Sequence, residues 1–249
     1  MNVKTLLKVG LLSLLLIGLW QAVVSLFALP NYLLPPPAKV FDQLGNHYEL
    51  LWQHSQITLL EIFLGLGLGF GLGLLSALIL SLSRPLASFL LPLLVISQAI
   101  PVFAIAPLLV LWFGYGMASK IAMTILIIYF PVTAACYDGL RHTPKPWLEL
   151  AKTMQISPLA MLLKVKLPAA LPALASGLRI AVSVAPIGAV VGEWVGSSQG
   201  LGYLMLHANA RMQVDLMFAA LFVLVLMALL LYFSTDYLLR KLLPWVGKM

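Results

Sequence analysis

The chain has 249 residues, of which 62% are hydrophobic and only 9% are charged. Because a soluble globular domain carries about 25% charged residues, this composition excludes a soluble enzyme or binding domain and indicates an integral membrane protein. The formal net charge of +7 is explained by basic loops on the cytoplasmic side of a membrane, so no nucleic-acid partner is expected.

Six apolar segments are long enough to cross a bilayer, since a transmembrane helix needs about 20 apolar residues. The predicted spans are residues 6–29, 57–82, 87–112, 118–139, 172–195 and 215–238. The first apolar run, from Val9 to about Leu29, is longer than the core of a signal peptide, and no clear cleavage site follows it. We therefore expect an all-α membrane protein that forms a single transmembrane domain over residues 1–249.

Basic residues predict the orientation. An even number of spans places both termini on one side, and if that side is the cytoplasm, twelve of the fifteen basic residues lie inside. These are Lys4, Lys8, Arg84, Arg141, Lys145, Lys152, Lys164, Lys166, Arg179, Arg240, Lys241 and Lys248. Only Lys39, Lys120 and Arg211 then lie outside. The positive-inside rule strongly favours this arrangement, with both termini in the cytoplasm.

Glycines and prolines mark two of the spans. Gly65, Gly69 and Gly73 recur every four residues in the second span, so they share one helix face and predict close packing against a neighbouring helix. Pro101 and Pro107 interrupt the third span and predict a kink or break. A broken helix is tolerated where it lines a cavity or packs against protein, so these prolines indicate either a substrate-pathway wall or a purely structural kink.

Both predicted outer loops contain a short helix. The first follows a proline run and covers Lys39–Tyr48, and the second covers Leu201–Ala208. Glu193 lies near the outer end of the fifth span. A carboxylate at that depth indicates a role in the substrate pathway, or a position at the membrane interface beside Trp194. Glu61 lies near a span end, where it would reach water.

The loop between spans four and five, residues 141–171, is both basic and periodic. Apolar residues recur at helical spacing after Pro146, and Ser157-Pro158 has the form of an N-cap followed by a first-turn proline. Two short helices should therefore meet at a tight turn near Gln155. A folded loop on the predicted cytoplasmic side indicates a docking surface for a soluble partner.

This loop resembles the EAA loop of ABC importer permeases. That pattern reads E-A-A, three residues, G, nine residues, and I-x-L-P. Here Glu149-Leu150-Ala151 stands for E-A-A, Gln155 for the glycine, and Val165-Lys166-Leu167-Pro168 for I-x-L-P. The spacing fits throughout. Gln155 is the substantive departure, because a glycine at this point would serve a left-handed turn that costs a glutamine about 1 kcal/mol.

The resemblance covers nearly the whole chain. YLLPPP, AIAPLLVLWFGYG and GEWVGSSQGLGYLM are similar to the nitrate/sulfonate/taurine branch of these permeases. Within that branch, DGLR, APIGAVVGEWVGSSQGLGYLM and NARMQVDLMFAAL most resemble permeases for thiamine precursors of the hydroxymethylpyrimidine type. The resemblance thus implies a transport subunit of the inner membrane that imports a small solute.

It also implies partners. An ABC ATPase would dock on the loop, a periplasmic binding protein would deliver the substrate, and a second copy of the permease would complete a homodimer in the lipid bilayer. The residues expected to contact the ATPase are Leu148, Glu149, Ala151, Met154 and Gln155, with Leu148, Ala151 and Met154 forming an apolar ridge. No Walker A signature occurs in the chain, so ATP hydrolysis would belong to the partner.

Other functions remain open at this point. A nitrate, sulfonate or taurine permease is one alternative, although the spans show little positive charge away from their cytoplasmic ends, which favours a neutral or aminated substrate. An ion-coupled secondary transporter is another, but no mid-span carboxylate pair is evident in the sequence. No catalytic constellation and no metal-binding cluster are evident, and no cofactor is expected.

Overall fold

The computed structural model describes residues 3–245, with side chains described from residue 10 onward except at residues 13 and 84. Over this range the chain forms helices and no strands. The helices are α1 (Val3–Leu26), α2 (Pro37–Asn46), α3 (Tyr48–Leu82), α4 (Arg84–Gln98), α5 (Val102–Phe113), α6 (Met117–Arg141), α7 (Lys145–Thr153), α8 (Pro158–Met161), α9 (Leu167–Gly196), α10 (Leu201–Ala210) and α11 (Val214–Leu242). A short π-helical segment, Leu162–Lys166, joins α8 to α9.

Four helices in the described range are long and apolar enough to cross a membrane. They are Tyr48–Leu82, Met117–Arg141, Pro158–Gly196 and Val214–Leu242. The bent pair formed by α4 and α5 would supply a fifth span, and a shorter apolar helix, Gly10–Leu26, lies within the predicted first span. The all-α membrane class is thus confirmed, while the count of six spans, the single domain over 1–249 and the cytoplasmic position of the loop stay predictions.

Four of the charges that predicted the orientation lie outside the described side chains. Lys248 lies outside the described residues, and so do the side chains of Lys4, Lys8 and Arg84. The two predicted outer-loop helices do form, as α2 and α10, within two residues of their predicted ends.

The break in the third span is confirmed at Pro101. Helix α4 ends at Gln98, α5 begins at Val102, and the two axes differ by 99°. Pro101 directly precedes α5, where its missing N–H costs nothing. The interruption expected at Pro107 is not found, because α5 continues through this residue to Phe113. A proline in an apolar helix therefore marked one break correctly and a second one wrongly.

The chain divides into two compact units. One comprises Met1–Ile57 and Gln199–Val225, and the other comprises Thr58–Ser198 and Leu226–Met249. We refer to them as unit 1 and unit 2. Helices α3 and α11 each contribute residues to both units.

Unit 2 is built around α6 and α9, and the glycine face of α3 packs against α6 in the predicted way. A Cβ at Gly69 would lie 2.5 Å from Cγ1 of Ile128, and one at Gly73 would lie 2.9 Å from Cγ1 of Val132. A Cβ added at Gly67 or Gly71, on the other side of the helix, would meet no atom within 4 Å. One face of α3 therefore approaches α6 closely, as small-residue packing between membrane helices requires.

Unit 1 brings α1, α2, α10 and the adjoining turns of α3 and α11 together. The indole of Trp20 packs against the ring of Phe218, with centroids 5.9 Å apart. The amide of Gln43 donates to Oδ2 of Asp215 at 2.7 Å. The backbone N–H of Gly200 donates to Nδ1 of His54 at 2.9 Å, which fixes the start of α10. These contacts connect the short helices to the long ones within the unit.

Candidate functional site

The loop between α6 and α9 folds as the predicted pair of short helices, α7 and α8. A glutamine occupies the left-handed position between them, because Gln155 has φ of +54°. Its N–H donates to the carbonyl of Lys152 at 2.9 Å, and the N–H of Ile156 donates to the carbonyl of Ala151 at 3.4 Å. This hydrogen-bond pair is that of a Schellman motif, which satisfies the last carbonyls of α7.

The second helix begins where the sequence predicted. The hydroxyl of Ser157 accepts a hydrogen bond from the N–H of Ala160 at 3.3 Å, and Pro158 occupies the first turn. The chain then widens into the π-helical segment before α9. Pro168 has no N–H to donate to the carbonyl of Lys164, and such a loss favours a local widening of the helix. Helix α8 is therefore connected to α9 without a loop.

The exposed surface of α7 differs from the predicted ridge. Glu149, Met154 and Gln155 are exposed as predicted. Leu148 is half-buried and Ala151 is only 5% exposed, so neither belongs to an exposed ridge. The exposed apolar side chains of α7 and its C-cap are instead Trp147, Leu150 and Met154. The correction arises because residues 147, 150 and 154 share one helix face, whereas 148 and 151 share the face turned toward the rest of unit 2.

The inner face of α7 borders a cavity of about 550 Å³. Leu148 lines this cavity together with the basic side chains of Arg141 and Lys166. Its remaining walls are formed by Leu80, Ser81, Ala87, Ser88, Leu91, Tyr137 and Leu140. Leu148 therefore lies on the cavity-facing side of α7.

A buried charge cluster lies between α3, α6 and α9. Glu61 and Glu193 are both 0% exposed, and Lys120 is 6% exposed. The ammonium of Lys120 donates to Oε1 of Glu61 at 2.9 Å, and the hydroxyl of Thr58 donates to Oε1 of Glu193 at 2.6 Å. Oε2 of Glu61 has no hydrogen-bond partner among the described residues. Helices α3, α6 and α9 each contribute at least one polar group to this cluster.

One expectation about these charges was wrong. Glu61 does not reach water, because its carboxylate pairs with Lys120 inside the bundle. The approach of α9 explains part of this burial, since a Cβ at Gly192 would lie 3.0 Å from Cα of Lys120. Glu193 itself lies among the protein's own helices and not at an exposed interface.

The predicted pathway residues do not converge. Pro101 and Pro107 are exposed in this chain, on or beside α5, whereas Glu193 is enclosed by α3, α6 and α9. Helix α5 nevertheless packs against the same neighbours, because Ala106 and Leu109 form a small core with Met123 of α6 and Val191 of α9. Pro107 lies on the exposed side of α5, and Pro101 directly precedes the helix.

No cluster of three or more His, Cys, Asp or Glu residues suited to a metal ion occurs in the part of the chain that the structure describes. Cys136 is buried in the core of unit 2. The candidate functional features of the described residues are therefore the exposed face of α7 and the buried charge cluster of Glu61, Lys120 and Glu193.

Comparison with known proteins shows which family the chain belongs to. Residues 69–248 match the family described as "Binding-protein-dependent transport system inner membrane component". The chain belongs to this family of permeases. It is a membrane permease subunit of an ABC transporter, as its relatives are, and not an enzyme.

Three curated relatives match nearly the whole chain. A probable ABC transporter permease of Haemophilus influenzae is 71% identical, covering 96% of both chains. The formylaminopyrimidine transport permease ThiX of Halalkalibacterium halodurans is 38% identical, covering 96% of this chain and 95% of that protein. The taurine transport permease TauC of Escherichia coli is 31% identical, covering 97% of this chain and 90% of that protein. The resemblance to the nitrate/sulfonate/taurine branch and to thiamine-precursor permeases is thereby confirmed.

A solved structure supports the fold. A chain of the MetNI methionine ABC transporter, in an inward-facing conformation, superposes with a TM-score of 0.70 at 22% identity. The match covers 79% of this chain and 97% of that chain. The likeness shows that the permease has the helical fold of an ABC transporter membrane subunit.

The strain at Gln155 gives a first prediction. Gln155→Gly should stabilise the turn between α7 and α8 by about 1 kcal/mol, because glycine adopts the left-handed conformation without a Cβ clash. Hydrogen exchange at the amides of residues 151–161 should slow in the purified permease. Gln155→Val is the matched control and should speed exchange there, since a β-branched residue fits this conformation poorly. Faster exchange in the glycine variant would show that the glutamine side chain itself holds the turn.

The ion pair gives a second prediction. Lys120→Met leaves the Glu61 carboxylate buried without its cation and should destabilise the permease by about 3–5 kcal/mol. Glu61→Gln combined with Lys120→Met should recover part of that loss, so that thermal unfolding in detergent shows strong coupling between the two positions. The exposed pair Arg240–Asp236 offers a control, and Arg240→Met should cost no more than about 1 kcal/mol. Additive effects of the Lys120 and Glu61 substitutions would contradict the pairing.

Proposed function

We propose that this permease imports a small pyrimidine of the hydroxymethylpyrimidine type, a thiamine precursor, from the periplasm to the cytoplasm. The observation that carries the proposal is the 38% identity with the formylaminopyrimidine permease over almost the entire length of both proteins. A relation that extends from end to end includes every helix that would line a pathway. The 31% identity with the taurine permease keeps a sulfonate or taurine substrate as the second candidate.

The charges inside unit 2 favour the pyrimidine over a sulfonate. A sulfonate carries a full negative charge, which a site in the membrane would balance with a cation or a helix N-terminus. Lys120 is held by Glu61 at 2.9 Å, and Arg179 is held by Asp236 at 2.8 Å. Each of these cations already has an anionic partner within the chain, which supports a neutral or aminated substrate.

An ABC ATPase docks, in this proposal, on the exposed face of α7. Trp147 is 55% exposed, Leu150 64% and Met154 68%, so three large apolar side chains face solvent at one end of the loop. Burying such a face in a groove is the usual mode of helix recognition. Glu149 and Gln155 are exposed beside this apolar face and supply its polar rim. Leu148 and Ala151, which were predicted to contact the ATPase, instead pack on the inner side of α7 and hold the helix in place.

The remaining partners follow from the same assignment. A periplasmic binding protein delivers the pyrimidine to the outer ends of the spans, and two copies of the permease form the pathway between them. The exposed face of α5, with Pro101 and Pro107, faces that pathway, and the buried cluster around Glu193 holds α3, α6 and α9 in place behind it. Both termini lie in the cytoplasm, with the coupling loop, residues 141–171, on the same side.

An ion-coupled carrier is the alternative that the buried carboxylates suggest, since Glu61 and Glu193 are both enclosed. Membership in the binding-protein-dependent family argues against it. The pairing of Glu61 with Lys120 also gives that carboxylate a structural partner. The ATP-driven importer is therefore the function that we propose.

The docking face gives a third prediction. Glu149→Arg should abolish co-purification of the ABC ATPase with the tagged permease, because it reverses a charge on the exposed rim while leaving the packing of the spans unchanged. Glu49→Arg is the matched control, since Glu49 is an exposed glutamate in the first turn of α3, far from α7 in sequence. That variant should retain the ATPase. Equal recovery of the ATPase with both variants would place the docking surface elsewhere.

The substrate gives a fourth prediction. Membrane vesicles that contain the permease with its ATPase and binding protein should accumulate labelled hydroxymethylpyrimidine when ATP is supplied. An excess of unlabelled formylaminopyrimidine should suppress this uptake, whereas an equal excess of taurine should not. Uptake of labelled taurine under the same conditions, without uptake of the pyrimidine, would assign the permease to the second candidate substrate.

A further inference from the structure

An apolar groove of about 310 Å³ lies within unit 1, between α1, α2 and α11. It is lined by Trp20, Leu34, Val40, Phe218, Leu221, Phe222 and Val225. Its walls are almost entirely carbon, and its dimensions suit a hydrocarbon chain. In a membrane protein such a groove takes up either a lipid chain or an apolar surface of another protein.

Trp20, which lines the groove, has a polar atom without a partner. Its Nε1 has almost no accessible surface and no hydrogen-bond acceptor among the described residues. An indole N–H is a donor only, and a buried donor without an acceptor is costly. A small turn of the indole toward the groove would bring this N–H to an acceptor on a bound molecule that is otherwise apolar at this point.

A polar cavity of about 370 Å³ lies on the same helices. It is lined by Asn31, Tyr32, Lys39, Met212, Val214 and Asp215. Lys39 directly precedes Val40 of the groove on α2, and Val214 lies one helical turn before Phe218 on α11. The apolar groove and the polar cavity thus follow each other along the same two helices.

The polar cavity presents both signs of charge. Lys39 is exposed and contributes an ammonium group. Asp215 contributes a carboxylate, whose Oδ2 accepts from Gln43 at 2.7 Å and whose Oδ1 accepts from the N–H of Leu216 at 3.0 Å. A carboxylate has about four acceptor positions, so these two bonds leave capacity for a further donor. The cavity therefore suits a group that carries an anion and a cation together.

We propose that unit 1 binds one zwitterionic phospholipid of the phosphatidylethanolamine type. One acyl chain fills the apolar groove, and an ester carbonyl accepts the hydrogen bond of the Trp20 indole. The phosphate lies against Lys39, and the ammonium group lies against Asp215. Along α11, Val214 and Asp215 of the polar cavity precede Phe218, against which Trp20 packs, and the groove continues to Val225. This order matches that of headgroup, ester and acyl chain.

The amphipathic character of α2 supports this assignment. Val40 of this helix is buried, whereas Lys39 and Asp42 are not. A short amphipathic helix with this pattern lies in the plane of the membrane interface, at the depth of lipid headgroups and esters. Trp20 is the type of residue that is enriched at the same depth.

The test is native mass spectrometry of the full-length permease, purified in detergent and titrated with phosphatidylethanolamine or phosphatidylglycerol. We expect one molecule of phosphatidylethanolamine per chain to be retained preferentially. Trp20→Phe and Lys39→Gln should each weaken its retention by roughly tenfold, the effect of one lost charged or buried hydrogen bond. Trp52→Phe is the matched control, because Trp52 is 64% exposed on α3 and lines neither cavity; it should leave retention unchanged.

A second variant separates headgroup recognition from simple solvation. Asp215→Asn removes the charge but keeps one acceptor oxygen for the N–H of Leu216, and the Gln43 amide can turn so that its oxygen accepts from the new NH₂ group. This variant should erase the preference for phosphatidylethanolamine over phosphatidylglycerol. Because Lys39 is exposed, Lys39→Gln should fold normally. It therefore tests the headgroup contact even if Trp20→Phe fails to fold. Equal retention of both lipids by the wild type would overturn the proposal. So would a Trp20→Phe or Lys39→Gln variant that loses the permease dimer or the binding protein while retaining its lipid.

Discussion

The bilayer supplies no hydrophobic force between helices, and the structure of unit 2 depends on the close contacts that replace it. Gly69 and Gly73 bring α3 against Ile128 and Val132 of α6, and Gly192 brings α9 against Lys120. At such distances Lys120 can pair with Glu61, and Glu193 can accept a hydrogen bond from Thr58, inside the bundle. The small residues therefore bring the helices close enough for the buried charges to find partners. Such partners are what makes a charge tolerable in an apolar environment.

The loop between α6 and α9 is stabilised in a different way. Its shape is fixed by backbone hydrogen bonds, with a Schellman turn at Gln155 and an N-cap at Ser157. This leaves the outer face of α7 free to expose Trp147, Leu150 and Met154. A loop that owes its fold to local bonding can present apolar side chains to a partner without losing its own structure.

Local patterns in the sequence predicted a large part of this structure. Helix lengths, the break at Pro101, the turn at Gln155 and the short helices α2 and α10 each depend on residues that are close in the chain. The pairing of Glu61 with Lys120 joins residues 59 positions apart, and no local pattern contains that information. The apolar residues of α7 were also predicted. Which of them face inward depends on how α7 packs against the rest of unit 2. Pro107 was misjudged because a single proline is compatible with a continuous helix when its neighbours supply the packing.

The π-helical segment has one more consequence. From Pro158 to Gly196 the chain is helical without interruption over 39 residues, which at 1.5 Å per residue amounts to a rod of about 58 Å. One end of this rod directly follows the turn at Gln155, beside the surface proposed for the ATPase, and Glu193 lies three residues from the other end. Because no loop interrupts the helix between them, a displacement of α8 is transmitted along the helix toward the buried cluster around Glu193. The widened turn at Leu162–Lys166 keeps the helix continuous past Pro168.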